Sequence, residues 1–151
     1  MMRITDTISL VLRNKPKRLL TITPDQTVYE AIEKMAQHDV GALLVMDESE
    51  RLVGIVSERD YARKGVLKGH LARQTQVRQI MTSPVTYVSP QATVDECMGI
   101  MTQHDFRHLP VMQEGCVCGV ISISDLVRWV IDGQSQAIQE LQGYITGAYP
   151  A

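Results

Sequence analysis

The stretch GIVSERDYARK, residues 54–64, decides how this sequence is interpreted, because its pattern returns as GVISISDLVRW, residues 119–129. In each copy, an apolar run that contains a glycine ends in a serine, and an aspartate follows three residues later. These residues are Ser57 and Asp60 in the first copy, and Ser122 and Asp125 in the second. A serine with an acid three residues later is typical of a helix start, where the hydroxyl caps a free backbone N–H. We therefore predict a strand that leads into a helix at both places.

The duplication extends well beyond this motif. When residues 23–63 are aligned with residues 89–128 and one residue is skipped near Glu50, about 16 of 40 positions are identical. Two copies are too few for a solenoid, which needs three or more repeats. We therefore expect two similar units that pack against each other about a pseudo-twofold axis.

Both copies have the same predicted order of elements, β-α-β-β-α, which gives a mixed α/β (α+β) fold class. In each copy, a helix begins at Thr27 or Thr93, and a glutamate three residues later completes a capping-box pattern. The helix that follows the hairpin begins at Ser57 or Ser122. The predicted strands are residues 20–23, 42–46 and 52–56 in the first copy, and residues 85–88, 109–112 and 117–121 in the second.

The flanking segments complete the predicted domain organisation. It consists of an N-terminal helix in residues 1–17, a first repeat in 18–68, a linker in 69–81, a second repeat in 82–133, and a C-terminal helix and tail in 134–151. The N-terminal helix covers residues 4–13 with Asp6 as its cap, and the linker contains a short helix at 77–81. Ile138, Leu141 and Ile145 are spaced as on one helical face, so the C-terminal helix either packs onto the repeats or mediates dimerisation.

Composition excludes several classes of protein. The net charge of −2 gives no overall basic field to attract nucleic acid or anionic lipid. No apolar run approaches the roughly 20 residues that span a bilayer, and the N-terminus lacks the apolar core of a signal peptide. We therefore expect an intracellular, cytoplasmic protein with no membrane partner.

The cysteines and histidines suggest structural roles. Three cysteines without an export signal argue against a disulfide framework. A zinc site built from Cys116, Cys118, His104 and His108 is conceivable, but we predict no metal and expect the cysteines to be small buried apolar residues. His38 and His104 are expected at the ends of equivalent helices, where the helix dipole favours them. No nucleophile elbow or pair of catalytic acids is recognisable, so we predict no catalytic residues.

The repeated motif allows two interpretations. In the simpler one, serine and aspartate only cap a helix. In the other, the helix N-terminus and the serine hydroxyl hold a phosphate, the carboxylate accepts hydrogen bonds from the two hydroxyls of a ribose, and Gly54 or Gly119 leaves room for a flat base. Because the same glycine, serine and aspartate occur twice, we favour a nucleotide site.

The quoted motifs, together with GALLVMD and HLPVM, resemble those of a CBS (cystathionine β-synthase) domain pair, also called a Bateman module, over roughly residues 18–131. The resemblance implies adenosine-type ligands, such as AMP, ADP, ATP, NAD(H) or S-adenosylmethionine, bound in two clefts between the repeats, and disc-shaped dimers. It implies that Asp60 and Asp125 hold ribose, and that Ser57 and Ser122 lie beside phosphate. It also implies that backbone near the following residues faces the base: Ile22, Gly41 and Ala42, and Thr86, Arg107 and His108.

The two implied sites differ in charge. Arg59, Arg63 and Lys64 follow the first motif and suit phosphates, although they could equally be a solvated helix face. The second motif has Ile123 and Ser124 at the corresponding turn, and Arg107 and His108 stand where Gly41 and Ala42 stand in the first copy. We expect the Asp60 site to take the more highly charged nucleotide.

The function predicted from the sequence is a stand-alone regulatory module that senses adenine nucleotides. It requires no cofactor and signals through a homodimer or a protein partner in trans. Two alternatives remain open, a nucleic-acid-binding module that uses the basic residues 59–68 and an enzyme that acts on the bound nucleotide.

Overall fold

The structure, a computed structural model, describes residues 4–16 and 18–146. These residues form two compact units. One unit is Arg18–Thr86, and the other consists of the described residues on either side of it in the sequence. The elements, in chain order, are α1 Ile8–Arg13, β1 Thr21–Ile22, α2 Val28–His38, β2 Ala42–Met46, β3 Leu52–Ser57, α3 Glu58–Asp60, α4 Val94–His104, β4 His108–Gln113, β5 Cys116–Ser122 and α5 Ile123–Thr146.

The first unit is built on a three-stranded sheet in the order β1-β2-β3. β1 pairs with β2 in parallel, and β2 and β3 form the predicted antiparallel hairpin. Helix α2 covers this sheet with Val28, Ala31 and Met35, which are buried at helical spacing. The α2 helix ends at His38, as predicted, and Asp39 then takes a left-handed conformation.

The second unit repeats this plan with fewer strands. β4 and β5 form an antiparallel hairpin, with the same register shift after Val111 that the first hairpin has after Val45. The strand predicted at residues 85–88 is wrong in extent, because only Val88 forms a bridge, parallel to Val111. Val88 is the buried residue of this segment, while Thr86 and Tyr87 are exposed. Burial of apolar surface therefore does not stabilise a strand at these two residues.

Each unit includes a short segment that comes, in the sequence, directly before the repeat of the other unit. We call it the inserted segment. In one unit, Ile8 and Val11 of α1 belong to the core that α4, β4 and β5 form. In the other unit, Val77 and Ile80 occupy the equivalent place in the core beneath α2. The backbone bonds match as well, since Ile8 N–H donates to Ala92 O (2.8 Å) and Val77 N–H donates to Gln26 O (2.8 Å).

The helix that follows Ser57 is shorter and less regular than predicted. Only Glu58–Asp60 is α-helical, and the chain continues as a π-helical turn at Tyr61–Gly65 and a 3-10 turn at Val66–Lys68. Gly65 lies against the Tyr61 ring, where an added Cβ would be 2.9 Å from Tyr61 Cδ1. The spacing of apolar and polar residues in the sequence does not distinguish such a widened turn from a regular helix.

The helix that follows Ser122 is longer than predicted. Helix α5 runs for 24 residues without a break at Gly133, where we expected one helix to end. A glycine inside a helix costs about 1 kcal/mol and need not end it, and Gly133 is buried. The predicted tail beyond Thr146, like residues 1–3 and Lys17, lies outside the described residues.

The flanking helices also begin differently from the prediction. α1 begins at Ile8 after Thr7, rather than at residue 4 with Asp6 as the cap, and residues 77–79 form only a 3-10 turn. Cys97 is buried on α4, as predicted, but Cys116 and Cys118 are exposed, which corrects that prediction. They are two residues apart on β5 and therefore share the outward face of the strand.

Candidate ligand-binding motifs

The first motif forms a complete capping box at the end of β3. Asp60 N–H donates to Ser57 Oγ (3.1 Å), and Ser57 N–H donates to Asp60 Oδ2 (3.0 Å). The predicted capping role is therefore confirmed. Asp60 is nevertheless only 9% exposed, so its carboxylate is held at a fixed place away from bulk water.

The second oxygen of Asp60 is also engaged. Asp60 Oδ1 lies 3.1 Å from Lys64 Nζ and accepts a hydrogen bond from Thr82 Oγ1 at 3.2 Å. Lys64 Nζ also donates to Thr82 Oγ1 at 3.2 Å. One lysine and one hydroxyl from two different segments thus compensate the buried charge, as a buried carboxylate requires.

The second motif has the same backbone geometry and a different cation. Asp125 N–H donates to Ser122 Oγ (3.1 Å), and Ser122 N–H donates to Asp125 Oδ2 (2.9 Å). Lys15 Nζ donates to the same Oδ2 at 2.7 Å and to Val120 O at 2.7 Å. Lys15 follows α1 and lies 110 residues before Asp125 in the sequence. Local sequence patterns carry no signal for such a pair, and sequence analysis missed it.

The environment of Asp125 shifts its pKa. Burial alone would raise the pKa of this carboxyl group. The hydrogen bond and positive charge of Lys15, together with the hydrogen bonds from Ser122, outweigh the burial and lower the pKa below its ordinary value of 3.8. Asp125 is therefore an anion at neutral pH, in a form that accepts hydrogen bonds from hydroxyl groups.

The repeated glycines have a packing role that the sequence did not reveal. A Cβ atom added to Gly54 would be 2.6 Å from Met81 Sδ, and one added to Gly119 would be 2.8 Å from Leu12 Cδ2. Met81 and Leu12 occupy equivalent places in the two inserted segments. The expectation that these glycines leave room for a base is therefore wrong on the Cβ side, because a side chain fills that space in each unit.

Four of the other predicted residues lie beside the motifs. Gly41 O accepts a hydrogen bond from Glu58 N–H (3.1 Å), and Ala42 pairs with Ser57 across the hairpin. In the second unit, Arg107 O accepts from Ile123 N–H (2.8 Å), and His108 pairs with Ser122. The start of one hairpin strand therefore lies next to the serine that ends the other, in both units.

The five remaining predicted residues are Ile22, Thr86, Arg59, Arg63 and Lys64, of which Lys64 contacts Asp60 directly. Ile22 is buried on β1, which pairs with β2 and not with β3. Thr86 is exposed and belongs to the first unit, whereas Asp125 belongs to the second. Arg63 and Lys64 are exposed and Arg59 is half-buried, with Lys64 already paired to Asp60.

The part of the chain that the structure describes contains neither a metal-binding cluster nor a membrane-spanning helix. No cluster of three or more His, Cys, Asp or Glu residues there could hold a metal ion. None of the helices described is long and apolar enough to cross a membrane.

Two copies of a helix followed by a β-hairpin, with a serine-aspartate cap at the end of each hairpin, define a tandem-repeat protein of the CBS type. The sequence profile of the CBS domain matches residues 16–66 and 77–132. The chain belongs to the CBS domain family, as the sequence motifs predicted.

Known relatives agree with this assignment. The chain is 40% identical to the CBS domain-containing protein CBSX3, mitochondrial, of Arabidopsis thaliana, over 95% of this chain and 73% of that protein. It is 30% identical to the CBS domain-containing protein YhcV of Bacillus subtilis, over 72% of this chain and 76% of that one. Since one relative is named as mitochondrial, the cytoplasmic location stays a prediction.

Solved structures show the same fold. A proposed signal-transduction protein with CBS domains from Burkholderia ambifaria is 46% identical, with a TM-score of 0.82 over 85% of this chain and 96% of that chain. A hexameric CBS-CP12 protein from bloom-forming cyanobacteria is 27% identical, with a TM-score of 0.68 over 87% of this chain and 83% of that chain. Proteins that share this fold therefore include one described as acting in signalling and one that is an oligomer.

Proposed function

We propose that the chain is a regulatory CBS pair that binds adenosine-containing nucleotides (AMP, ADP, ATP or NAD(H)) at its two serine-aspartate motifs. The observation that carries the proposal is that Asp60, which is buried, and Asp125, whose side chain is 14% exposed, make the same backbone hydrogen bonds in the two units. An ionised carboxylate offers two acceptor oxygens, which match the two adjacent hydroxyls of a ribose.

Capping alone does not require this burial. The chain contains an ordinary capping box at Thr93 and Glu96, and there the acid is exposed. Asp60 makes the same backbone hydrogen bonds from a buried position and Asp125 from a partly buried one, where a carboxylate costs free energy unless it is compensated. A ligand-binding role accounts for a carboxylate withdrawn from bulk water in both copies, whereas an exposed one would have served as a cap.

The cations near the motifs suit phosphate groups. Arg59 directly precedes Asp60, Arg63 and Lys64 lie three and four residues after it, and Arg107 precedes the strand that pairs with Ser122. We propose that the Asp60 site takes the more highly charged nucleotide, because it has more cations close by in the sequence. The pairing of Lys64 with Asp60 and Thr82 also leaves the basic run 59–68 less suited to nucleic acid.

Thermal unfolding in the presence of AMP, ATP or NAD tests the proposal. A ligand present at 100 times its Kd stabilises the folded state by about 2.7 kcal/mol, so the melting temperature should rise. Asp60→Ala should abolish the part of the response that belongs to the first site, and Asp125→Ala the part that belongs to the second.

The matched control is Thr93→Ala, which removes the cap of α4 and costs about 1 kcal/mol without touching either motif. It should lower the melting temperature and leave the nucleotide response intact. If Asp60→Ala and Asp125→Ala behave like Thr93→Ala, the two motifs are helix caps and the proposal is wrong.

We further propose that the output of this module is regulatory rather than catalytic, and that it passes through a homodimer or a protein partner in trans. Ligand would act by favouring one arrangement of the assembly over another. Chromatography of nucleotides after incubation with the protein tests this point, because turnover would establish an enzyme instead.

Helix α5 supports the homodimer. Val127, Ile131 and Leu141 on this helix are 42%, 52% and 64% exposed. With Gln134, Ile138 and Ile145 in the sequence, they are spaced alternately four and three residues apart, which is the heptad spacing of a coiled coil. Three isoleucines then occupy a positions, and Val127, Gln134 and Leu141 occupy d positions. In a parallel coiled coil, isoleucine at a with leucine at d favours two strands. The partner that fits this face is a second copy of the same helix.

A further inference from the structure

The two copies of the motif balance their aspartates with lysines from different parts of the chain. In the first copy, Lys64 lies on the turn that follows Asp60, and Thr82 supplies a hydroxyl. The position equivalent to Lys64 in the second copy is Trp129, whose indole N–H donates to Asp6 (2.9 Å). The helix therefore provides no lysine there, and Lys15 takes that place.

The position of Lys15 is fixed by the core. Helix α1 is anchored by Ile8, which is fully buried, and by Val11. Lys15 follows two residues after the helix, and its backbone N–H donates to Leu12 O (3.2 Å). Its side chain then reaches both Asp125 Oδ2 and Val120 O, at 2.7 Å each. The lysine is 34% exposed and the aspartate 14%, so the pair lies at the edge of solvent, where a ligand could reach it.

Lys15 and the Ser122 N–H both donate to Oδ2 of Asp125, so a ribose whose two hydroxyls use both carboxylate oxygens would compete with Lys15 for Oδ2. If the hydroxyls of a nucleoside bind Asp125, the Lys15 ammonium loses its carboxylate partner and keeps only the carbonyl of Val120. A nucleotide replaces that partner, because its phosphate can accept a charge-assisted hydrogen bond from the displaced lysine. The ion pair thus penalises ligands without a phosphate.

We propose that Lys15 makes the Asp125 site selective for phosphorylated adenosine compounds over adenosine itself. The lysine is held on Asp125 in the absence of ligand and transfers to the phosphate when ribose binds. This inference rests on the proposed function, since it assumes that Asp125 receives a ribose. It adds to the site a residue from outside both repeated motifs.

Calorimetric titration of the full chain with AMP and adenosine tests the proposal, in an Asp60→Ala background so that only the second site responds. With Lys15 present, AMP should bind about tenfold or more tightly than adenosine. In Lys15→Met, this ratio should fall towards one, because AMP loses a partner while adenosine no longer displaces a lysine. Lys15→Arg should preserve the preference for AMP, and Lys68→Met should match the background protein.

The outcomes separate the two claims. If Lys15→Met binds both compounds with an unchanged ratio, or weakens both equally, Lys15 is a structural residue and this inference is wrong. Lys15→Gln, which keeps a polar group, provides the same comparison if Lys15→Met unfolds. If no adenine nucleotide or adenosine binds the wild-type chain at all, the proposed function fails and this inference fails with it.

Discussion

At the scale of single residues, Gly54 and Gly119 show how a repeated residue can be conspicuous in a sequence for a reason other than ligand binding. Both glycines lie on strands, where alanine would normally be the more stable residue. At each of them, however, Met81 or Leu12 occupies the space of the missing Cβ. The duplicated glycine is thus part of how each unit packs the inserted segment.

Gly54→Ala should therefore destabilise the protein by about 1–3 kcal/mol, the usual cost of overpacking. Urea unfolding measures this free energy. In a Met81→Ala background the same substitution should cost less, because the clashing side chain is gone. The control is Gly99→Ala on α4, where no heavy atom lies within 4 Å of the added Cβ, and where alanine should stabilise by about 0.5–1 kcal/mol. Equal effects at Gly54 and Gly99 would contradict the packing role.

The ion pair of Lys15 and Asp125 should make stability depend on pH. The folded-state pKa of Asp125 lies below the ordinary value of 3.8, so between the two values the unfolded chain binds more protons than the folded one. The stability that this group contributes is then fully present above the ordinary pKa, and is lost as the pH falls through the folded pKa.

Urea unfolding of the wild type and of Asp125→Asn, from neutral pH to below pH 3.8, measures this effect. The variant should be less stable at neutral pH, and the difference should shrink in acid as the wild-type carboxylate is protonated. Lys15→Met should reduce the same pH-dependent part. A constant difference across this range would show that the pair does not contribute through its charge.

The sequence predicted the residues of each motif and missed the partners that set their properties. Ser57 and Asp60 are three residues apart, so a local pattern identifies them and their capping bond. Thr82 and Lys15 lie 22 and 110 residues away from the aspartates they contact. Only the fold brings these pairs together, and the two copies take their lysines from different places in the sequence, so the repeat itself gives no indication of them.

At the scale of elements, the hairpins and the two 11-residue helices were predictable because apolar spacing and caps agree there. The regions that sequence analysis misplaced are those where packing decides. Helix α3 gives way to a π turn beside Tyr61, and α5 continues through a buried glycine. The inserted segment is a third case. No spacing rule shows that α1 packs into a core whose other residues lie 80 or more residues later in the sequence.

Ile8→Ala tests the role of α1 in that core. Ile8 is fully buried among residues of α4, β4 and β5, so truncation should cost about 2–5 kcal/mol. Thermal or urea unfolding measures the loss. Arg13→Ala, on the same helix and exposed, should change stability by less than about 0.5 kcal/mol. If the two variants are equally stable, α1 does not contribute to the core in solution.

At the scale of the whole molecule, the exposed apolar face of α5 is a feature that a single chain does not explain. The same helix packs Leu126 and Trp129 into the core of its own unit, so its position on the protein is fixed. Val127, Ile131 and Leu141 are then presented to solvent at heptad positions of this helix. Such a face is stabilised when an identical helix covers it, because the heptad pattern is complementary to itself.

Sedimentation velocity of the wild type, Ile131→Glu and Gln139→Glu tests the dimer. The sedimentation of the wild type should correspond to a particle of twice the chain mass of 16.9 kDa. Ile131→Glu places a charge in the seam of each copy and should weaken association by about a hundredfold or more, since two like charges would lose water together. Gln139→Glu adds the same charge to an exposed position on the same helix that is outside the heptad seam, and should leave the dimer intact. If the wild type is a monomer, or if Ile131→Glu forms a dimer as stable as that of the wild type, α5 does not pair with the same helix of a second chain. This face would then need another partner.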